Sequence, residues 1–476
     1  MVLFIRPFLL LLLLSLFAGV LLAADTVPKN QAAPAAKPTP TPPTELQRKL
    51  AAVEDVNALL LGAAEYEKRG DFVSQIAVFE RVLQLRPMAG NIQYELAAAH
   101  AELDHKRQVY DLLIKLQTSG YAYDPSTDPR FEKAHGTEVW DYLLLNLAAN
   151  AKPFGEGKLA FELPKGDTLI EALAYDAGRK QFLAGSARDG AIYRVDASSG
   201  KLLPFIAADD TNQLRAITAM QADDERGLLW VSASGLPYFR GIKETDFGKT
   251  ALYKFDLKDG KLLRRFDMPA ALGPHRFDHL LATRQGQVFV SDSEQKRIYR
   301  LGEDGLELIM QNPKLSHVRG MAASDDGRIL YFADTELGIF AIDLVNSRPL
   351  VVTGPPTLTL FGIDGIYYWN GHLVVIQNAF PPSRVMRLDL DASGLVIKSS
   401  MPLDAGRSEF AAPTRGVVVK DKLYFIANTQ RVHYDRYGLP IDANRLEGVR
   451  VFASDLGFEL GRAIGNQQIP VVPAQR

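Results

Sequence analysis

The chain contains no cysteine. That excludes disulfides, thiolate metal sites, cysteine nucleophiles and a lipid anchor on an N-terminal cysteine. An excess of one charge sign is missing too. The 54 Lys and Arg stand against 56 Asp and Glu, for a formal charge of −2. The basic residues are scattered, so neither a global field nor a basic arm favours nucleic acid, and no nucleic-acid partner is expected. A Gly-x-Ser-x-Gly elbow, a phosphate-cradling glycine loop and a His-Glu-x-x-His helix are also absent. The commonest signatures of serine hydrolases, nucleotide-binding enzymes and zinc peptidases are thereby removed.

One long apolar run is present, at the start. Arg6 is the only charged side chain before Asp25, and Phe8 to Ala24 is apolar apart from Ser15. A basic start, a leucine-rich stretch and an Ala-Ala exit predict a secretory signal over 1–24, cut near Ala23 or Ala24. The alternative is an uncleaved anchor, because the run borders on the length that spans a bilayer. The membrane would then be met through this segment alone. Either way an exported protein is expected, periplasmic or secreted. Residues 25–44 are rich in Pro, Ala and Thr and have almost no large apolar side chain, which predicts a semi-extended linker.

The pattern turns helical over 45–150. Val53, Val56, Leu60, Ala63 and Ala64 recur at steps of three and four. Gly70-Asp71-Phe72 breaks the run, Ile76, Phe79, Val82 and Leu83 resume it, and Pro87 ends it. One period later Leu96, Ala97, His100, Val109, Leu113 and Leu116 occupy matching places. Tyr66, the Gly-Asp turn, Phe79 and Pro87 resemble the layout of tetratricopeptide repeats, about two of them, with a last helix around Trp140 to Leu147. The segment predicts either a peptide-binding groove for a protein partner or a helical hairpin docked on the rest of the chain or on an oligomer partner. Its removal is expected to leave the remainder folded.

Over 154–476 the texture changes to short apolar or alternating runs separated by Asp-Gly, Asn-Gly and Ser-Gly turns. A three-strand unit recurs, for example Phe277-Asp278-His-Leu-Leu, Val288-Phe-Val-Ser-Asp and Arg297-Ile-Tyr-Arg-Leu. Six copies at intervals of roughly 40–60 residues predict a six-bladed β-propeller. The fold class is therefore mainly β, with an N-terminal α-helical segment. The run from Lys158 to Leu163 precedes the first copy and is expected to join the last blade and close the ring.

In such a ring the first strand of each blade lines the central channel, and its first residues gather at one mouth. Those starts are Glu171, Thr218, Asp278, Arg319, Asp364 and Arg415. His275, His279 and His317 lie near the third and fourth starts as candidate general bases. Gln377 and Asn378 either line the channel or satisfy backbone in a turn.

Glu171-Ala-Leu-Ala-Tyr-Asp, Asp189-Gly-Ala-Ile-Tyr-Arg-Val-Asp, Asp325-Asp-Gly-Arg-Ile-Leu-Tyr-Phe-Ala-Asp and Asp364-Gly-Ile resemble the gluconolactonase/regucalcin (senescence marker protein) propellers. The resemblance covers about Leu169 to Ile426. It implies a divalent cation, usually calcium, held at the mouth by a Glu of blade one, Asn residues of blades three and four and an Asp of blade five. It also implies that the blade-five Asp assists as a base in lactone hydrolysis. Glu171 and Asp364 match, and Asp278 replaces one Asn with another oxygen donor. If a cation is bound, Glu171, Asp278 and Asp364 are its expected ligands. Arg319 departs from the pattern, since a guanidinium carries fixed positive charge and no acceptor. It suits two carboxylates at once and is expected to stand in for the cation, so no cofactor is predicted. Two functions follow. One is a binding propeller that takes a small polar ligand or a protein partner at its channel. The other is a lactone or ester hydrolase with Asp364 as its catalytic residue.

Overall fold

The computed structural model describes residues 43–269 and 273–460. The expected signal over 1–24, and the linker over 25–44 apart from its last two residues, lie outside the described residues. No described helix is long and apolar enough to cross a membrane.

Six α-helices open the described chain: α1 Glu45–Ala51, α2 Val56–Lys68, α3 Phe72–Leu85, α4 Gly90–Glu102, α5 Lys106–Thr118 and α6 Glu138–Asn150. Their ends follow capping chemistry. The Asp55 carboxylate accepts the N–H groups of Asn57 and Ala58, and Asp71 accepts that of Ser74 at 3.1 Å. Gly70, at φ 67°, takes the left-handed position between α2 and α3, which explains the break seen in the sequence. Thr137 caps α6 through the Trp140 N–H.

The helices pack onto the β body. Phe361 and Phe380 belong to the same apolar core as Leu96, Leu113, Leu116 and Tyr121. The Tyr121 ring lies 4.3 Å from that of Phe380, and its hydroxyl is 3.0 Å from that of Thr359. The Ala122 N–H donates to the Pro381 carbonyl at 2.8 Å, and the buried Arg384 guanidinium donates to the carbonyls of Ser119 and Gly120. The expected boundary at 150–154 therefore runs beside a packed, hydrogen-bonded contact.

The β body is a six-bladed propeller. Blade one is Ile170–Asp176, Gln181–Ser186, Ile192–Asp196 and Lys201–Ile206. The innermost strands of blades two to six are Ala216–Asp223, Phe277–Ala282, Val318–Ala323, Ile363–Trp369 and Gly416–Val419. Pairing is antiparallel in every blade, and in blades one to four it follows chain order. Lys158–Glu162 pairs with Arg450–Asp455, with Lys158 opposite Ala453, as the outermost strand of blade six. The strand expected from Lys158 to Leu163 thus closes the ring, as the sequence predicts. Just before it, Phe154–Gly155 pairs with Ala405 and Asp404 on the edge of blade five.

The apolar residues form a core at every blade interface rather than one at the centre. Ile217, Met220 and Val231 meet Leu183 and Ile192 between blades two and one, and Phe289 and Ile298 meet Met321 and Phe332 between three and four. Each sheet buries both faces, which is why strands such as Ile170–Asp176 lack an exposed alternate row. Full burial of each such side chain contributes about 1.5–3 kcal/mol.

Candidate functional site

A shared backbone device builds the mouth. The innermost strand of each of the first five blades carries a register shift at its start. The shifts fall between Ile170 and Ala172, Ile217 and Ala219, Phe277 and His279, Val318 and Gly320, and Ile363 and Gly365. The skipped residues are Glu171, Thr218, Asp278, Arg319 and Asp364. In blade six the Ile426 N–H donates to the Arg415 carbonyl while the Ile426 carbonyl accepts the Thr414 N–H, so two residues again face one. A bulge bends the strand and re-aims the extra side chain. The bulges turn Glu171, Asp278, Arg319, Asp364 and Arg415 toward one end of the channel, whereas the buried Thr218 hydroxyl bonds Ser232 of its own blade.

Asp278, Arg319, Asp364 and Arg415 form one charged cluster. The Arg319 guanidinium lies 3.9 Å from an Asp278 oxygen and 3.7 Å from an Asp364 oxygen. Arg415, 6 % exposed, lies 3.7 Å from the other Asp278 oxygen and donates to the Thr218 carbonyl. Arg276 Nε donates to Asp278 at 3.1 Å. Asp364 accepts the Thr414 hydroxyl and, at 3.3 Å, the Asn378 amide. Burial pushes the Asp278 carboxyl up, but Arg319, Arg276 and Arg415 outweigh it and hold the group well below the usual carboxylate range. Asp364 is also held low: its burial is overcome by Arg319 and Arg415, with the Thr414 hydrogen bond adding to them.

Glu171 belongs to a neighbouring pair. Its carboxylate accepts the Thr429 hydroxyl at 2.7 Å and the Arg431 guanidinium. Arg319 therefore bridges two of the three mouth carboxylates, and the third has its own arginine. Glu171, beside Arg431, holds that guanidinium above its ordinary range despite burial. Arg431 sits on the long segment between Lys422–Ile426 and Arg450–Asp455, which also reaches blade one through Tyr434 Oη to Asp167 at 2.7 Å.

The histidines part company. His279 is buried beside the cluster, and its Nε2 has no partner. Burial, with Arg415 beside it, lowers its pKa to about 3, so the ring is neutral. His275 is buried with its Nδ1 2.5 Å from Asp292, whose second oxygen accepts the Arg276 N–H; this pair secures the approach to blade three. His317 is exposed, and its backbone N–H donates to Asp334 at 3.0 Å. Gln377 satisfies backbone, donating to the Thr359 and Phe361 carbonyls, whereas Asn378 orients Asp364. The sequence reading missed Arg276, Thr414, Thr429 and Arg431. Arg276 and Thr414 flank strand starts, a signal that could have found them; Thr429 and Arg431 follow the second strand of blade six, which offers none.

This donor set does not fit a hard cation. The four guanidinium groups of Arg276, Arg319, Arg415 and Arg431 contact the carboxylates of Glu171, Asp278 and Asp364. Guanidinium has no lone pair to offer a metal and repels it. Among the described residues no group of three or more His, Asp and Glu is placed to hold a metal ion.

No protein-family model matches the chain, and no curated protein matches it. Among solved structures it is similar to the PQQ-bound aldose sugar dehydrogenase of Streptomyces coelicolor, at 13% identity over 64% of this chain and 99% of that one, with a TM-score of 0.43. A luciferin-regenerating enzyme is matched at 14% identity over 64% of this chain and 96% of that one, with a TM-score of 0.41. A gluconolactonase of Xanthomonas campestris is matched at 14% identity over 65% of this chain and 92% of that one, with a TM-score of 0.40.

Proposed function

We propose that the propeller mouth is a metal-free binding site for a small polar or anionic ligand, in an exported protein whose helical segment offers a surface to a protein partner. One observation carries the binding reading. Arg319 stands between Asp278 and Asp364 at 3.7–3.9 Å, close enough to neutralise both but beyond hydrogen-bond reach of either. Its planar set of donors is left for an incoming acceptor oxygen. The four guanidinium groups exceed the three carboxylates by one positive charge, which favours an anion. The export reading rests on the apolar run over 1–24.

The alternative, hydrolysis of lactones or carboxylic esters, needs a base with a pKa near the working pH. Asp364 is held below its ordinary range and His279 near 3, so both are weak bases. Thermal shift and calorimetry with D-gluconate and with calcium test the choice. Gluconate should stabilise the protein but not an Arg319→Ala variant, and calcium should leave the melting temperature unchanged. Arg319→Asn, which restores an oxygen ligand, should gain calcium-dependent stability. Tight calcium binding by the unaltered protein would reverse the order of the two readings.

A further inference from the structure

The innermost strands do two things along their length. Their starts build the charged mouth. Their downstream halves, with the turns that follow, enclose a separate cavity of about 530 Å³ that opens on the opposite face. His279 and Arg415 lie at its inner end, and Lys180, Arg284 and Lys420 lie at its outer end. Five residue steps separate His279 from Arg284, so the cavity is roughly 16 Å deep at about 3.3 Å per residue. Its volume is that of a small-molecule site.

Polar and apolar residues share the wall. Gln221, Thr283 and Ser324 line it beside Leu280, Met321 and Ile366, which are turned into the blade interfaces, and blade six adds an uncovered apolar stretch. Gly416–Val419 is half-buried at all four positions, whereas blade one's innermost strand is buried at all but one. Val417, Val418 and Val419 therefore show apolar surface inside the molecule. At the inner end the His279 ring is buried, with an Nε2 that the protein leaves unpartnered. The charge of Arg415 is countered from the mouth side by Asp278.

The rim differs. Arg284 is paired with Asp325 at 2.8 Å, and Asp224 accepts the Ala177 N–H at 2.8 Å. Lys180 and Lys420, on the adjacent blades one and six, are exposed left-handed turn residues at φ 52° and 55°. Neither ammonium has an ion-pair partner among the described residues. Two free cations thus stand at the opening, with Asp224 as the one carboxylate there that lacks an ion-pair partner among the described residues.

We propose that this cavity is a second ligand site, for a single-chain carboxylate. Its tail lies along Val417–Val419, and its head meets Lys180 and Lys420. The assignment is independent of the ligand at the mouth.

Calorimetry of the purified protein with sodium dodecanoate is the test, with acetate and dodecanol as controls. One dodecanoate should bind per chain, more tightly than either control. Lys180→Asn with Lys420→Asn should weaken it by up to about thirtyfold, the sum of two exposed ion pairs. Asn tolerates the left-handed turn, so that double variant keeps its backbone. Val418→Trp, which fills the wall, should abolish binding. If that variant does not fold, the lysine variant carries the test, since both lysines lie on exposed turns. No binding to the unaltered protein overturns the proposal. So does binding of several molecules per chain that neither variant changes, which is adsorption. Equal affinity for dodecanol and dodecanoate overturns the headgroup assignment and the proposal with it.

Discussion

Asp404 tests the physical account of ring closure. It is the penultimate residue of the blade-five strand Ile397–Ala405, is 0 % exposed, and faces the chain where it crosses from blade five to blade six. Its carboxylate accepts the Gly157 N–H at 3.0 Å and the Ser454 hydroxyl at 2.5 Å. A Cβ at Gly157 would lie 2.4 Å from the carboxylate, so the crossing chain is pressed against it. Burial raises the Asp404 pKa from 3.8 to about 6, against the opposing effects of Ser454, Gly157 and Arg407. Between those values the folded state binds the proton and the unfolded state does not. Stability therefore falls as pH rises through that window, and the full cost is present above pH 6. Roughly two pKa units at about 1.36 kcal/mol each give about 3 kcal/mol. Asp404→Asn removes the charge while its oxygen still accepts from Gly157 and its amide donates to Ser454. Urea denaturation should show the variant more stable at pH 8 by up to about 3 kcal/mol, with the gain vanishing near pH 4. A variant less stable at pH 8, or a difference independent of pH, would refute the argument.

The mouth and the helices make two further predictions. Asp278→Asn leaves Arg415 buried beside a neutral amide and should cost about 3 kcal/mol at pH 7 by urea denaturation. Because the folded pKa of Asp278 is depressed, its contribution is present above its ordinary value and lost as pH falls below it. The penalty of the substitution should therefore shrink in acid, and a penalty constant with pH would contradict the charge cluster. Deleting 45–150 should leave the β circular-dichroism signal but expose Phe361 and Phe380, lowering the melting temperature and promoting self-association; an unchanged melting temperature would show that the shared core contributes little.

The blades and the closing strand were legible in the sequence because sheet structure is written locally. Asp-Gly and Asn-Gly turns set the strand ends, and apolar residues on both faces of each run announce a sheet buried on both sides. The same is true of the Gly70-Asp71 break, where one residue takes the left-handed position and the next caps a helix. The mouth positions were legible as strand starts, but not the reason they converge: the bulges at Glu171, Thr218, Asp278, Arg319 and Asp364 are set by pairing with the second strand of each blade. Charge partnership was not legible. Glu171 and Arg431 are 260 residues apart, and only ring closure brings blade six beside blade one. For that reason Arg319 looked from the sequence like the counter-charge to three carboxylates, whereas in the fold it faces two. The slot beneath the mouth exists only because six strands stand around an axis, and a geometry shared among six distant segments leaves no pattern in any one of them.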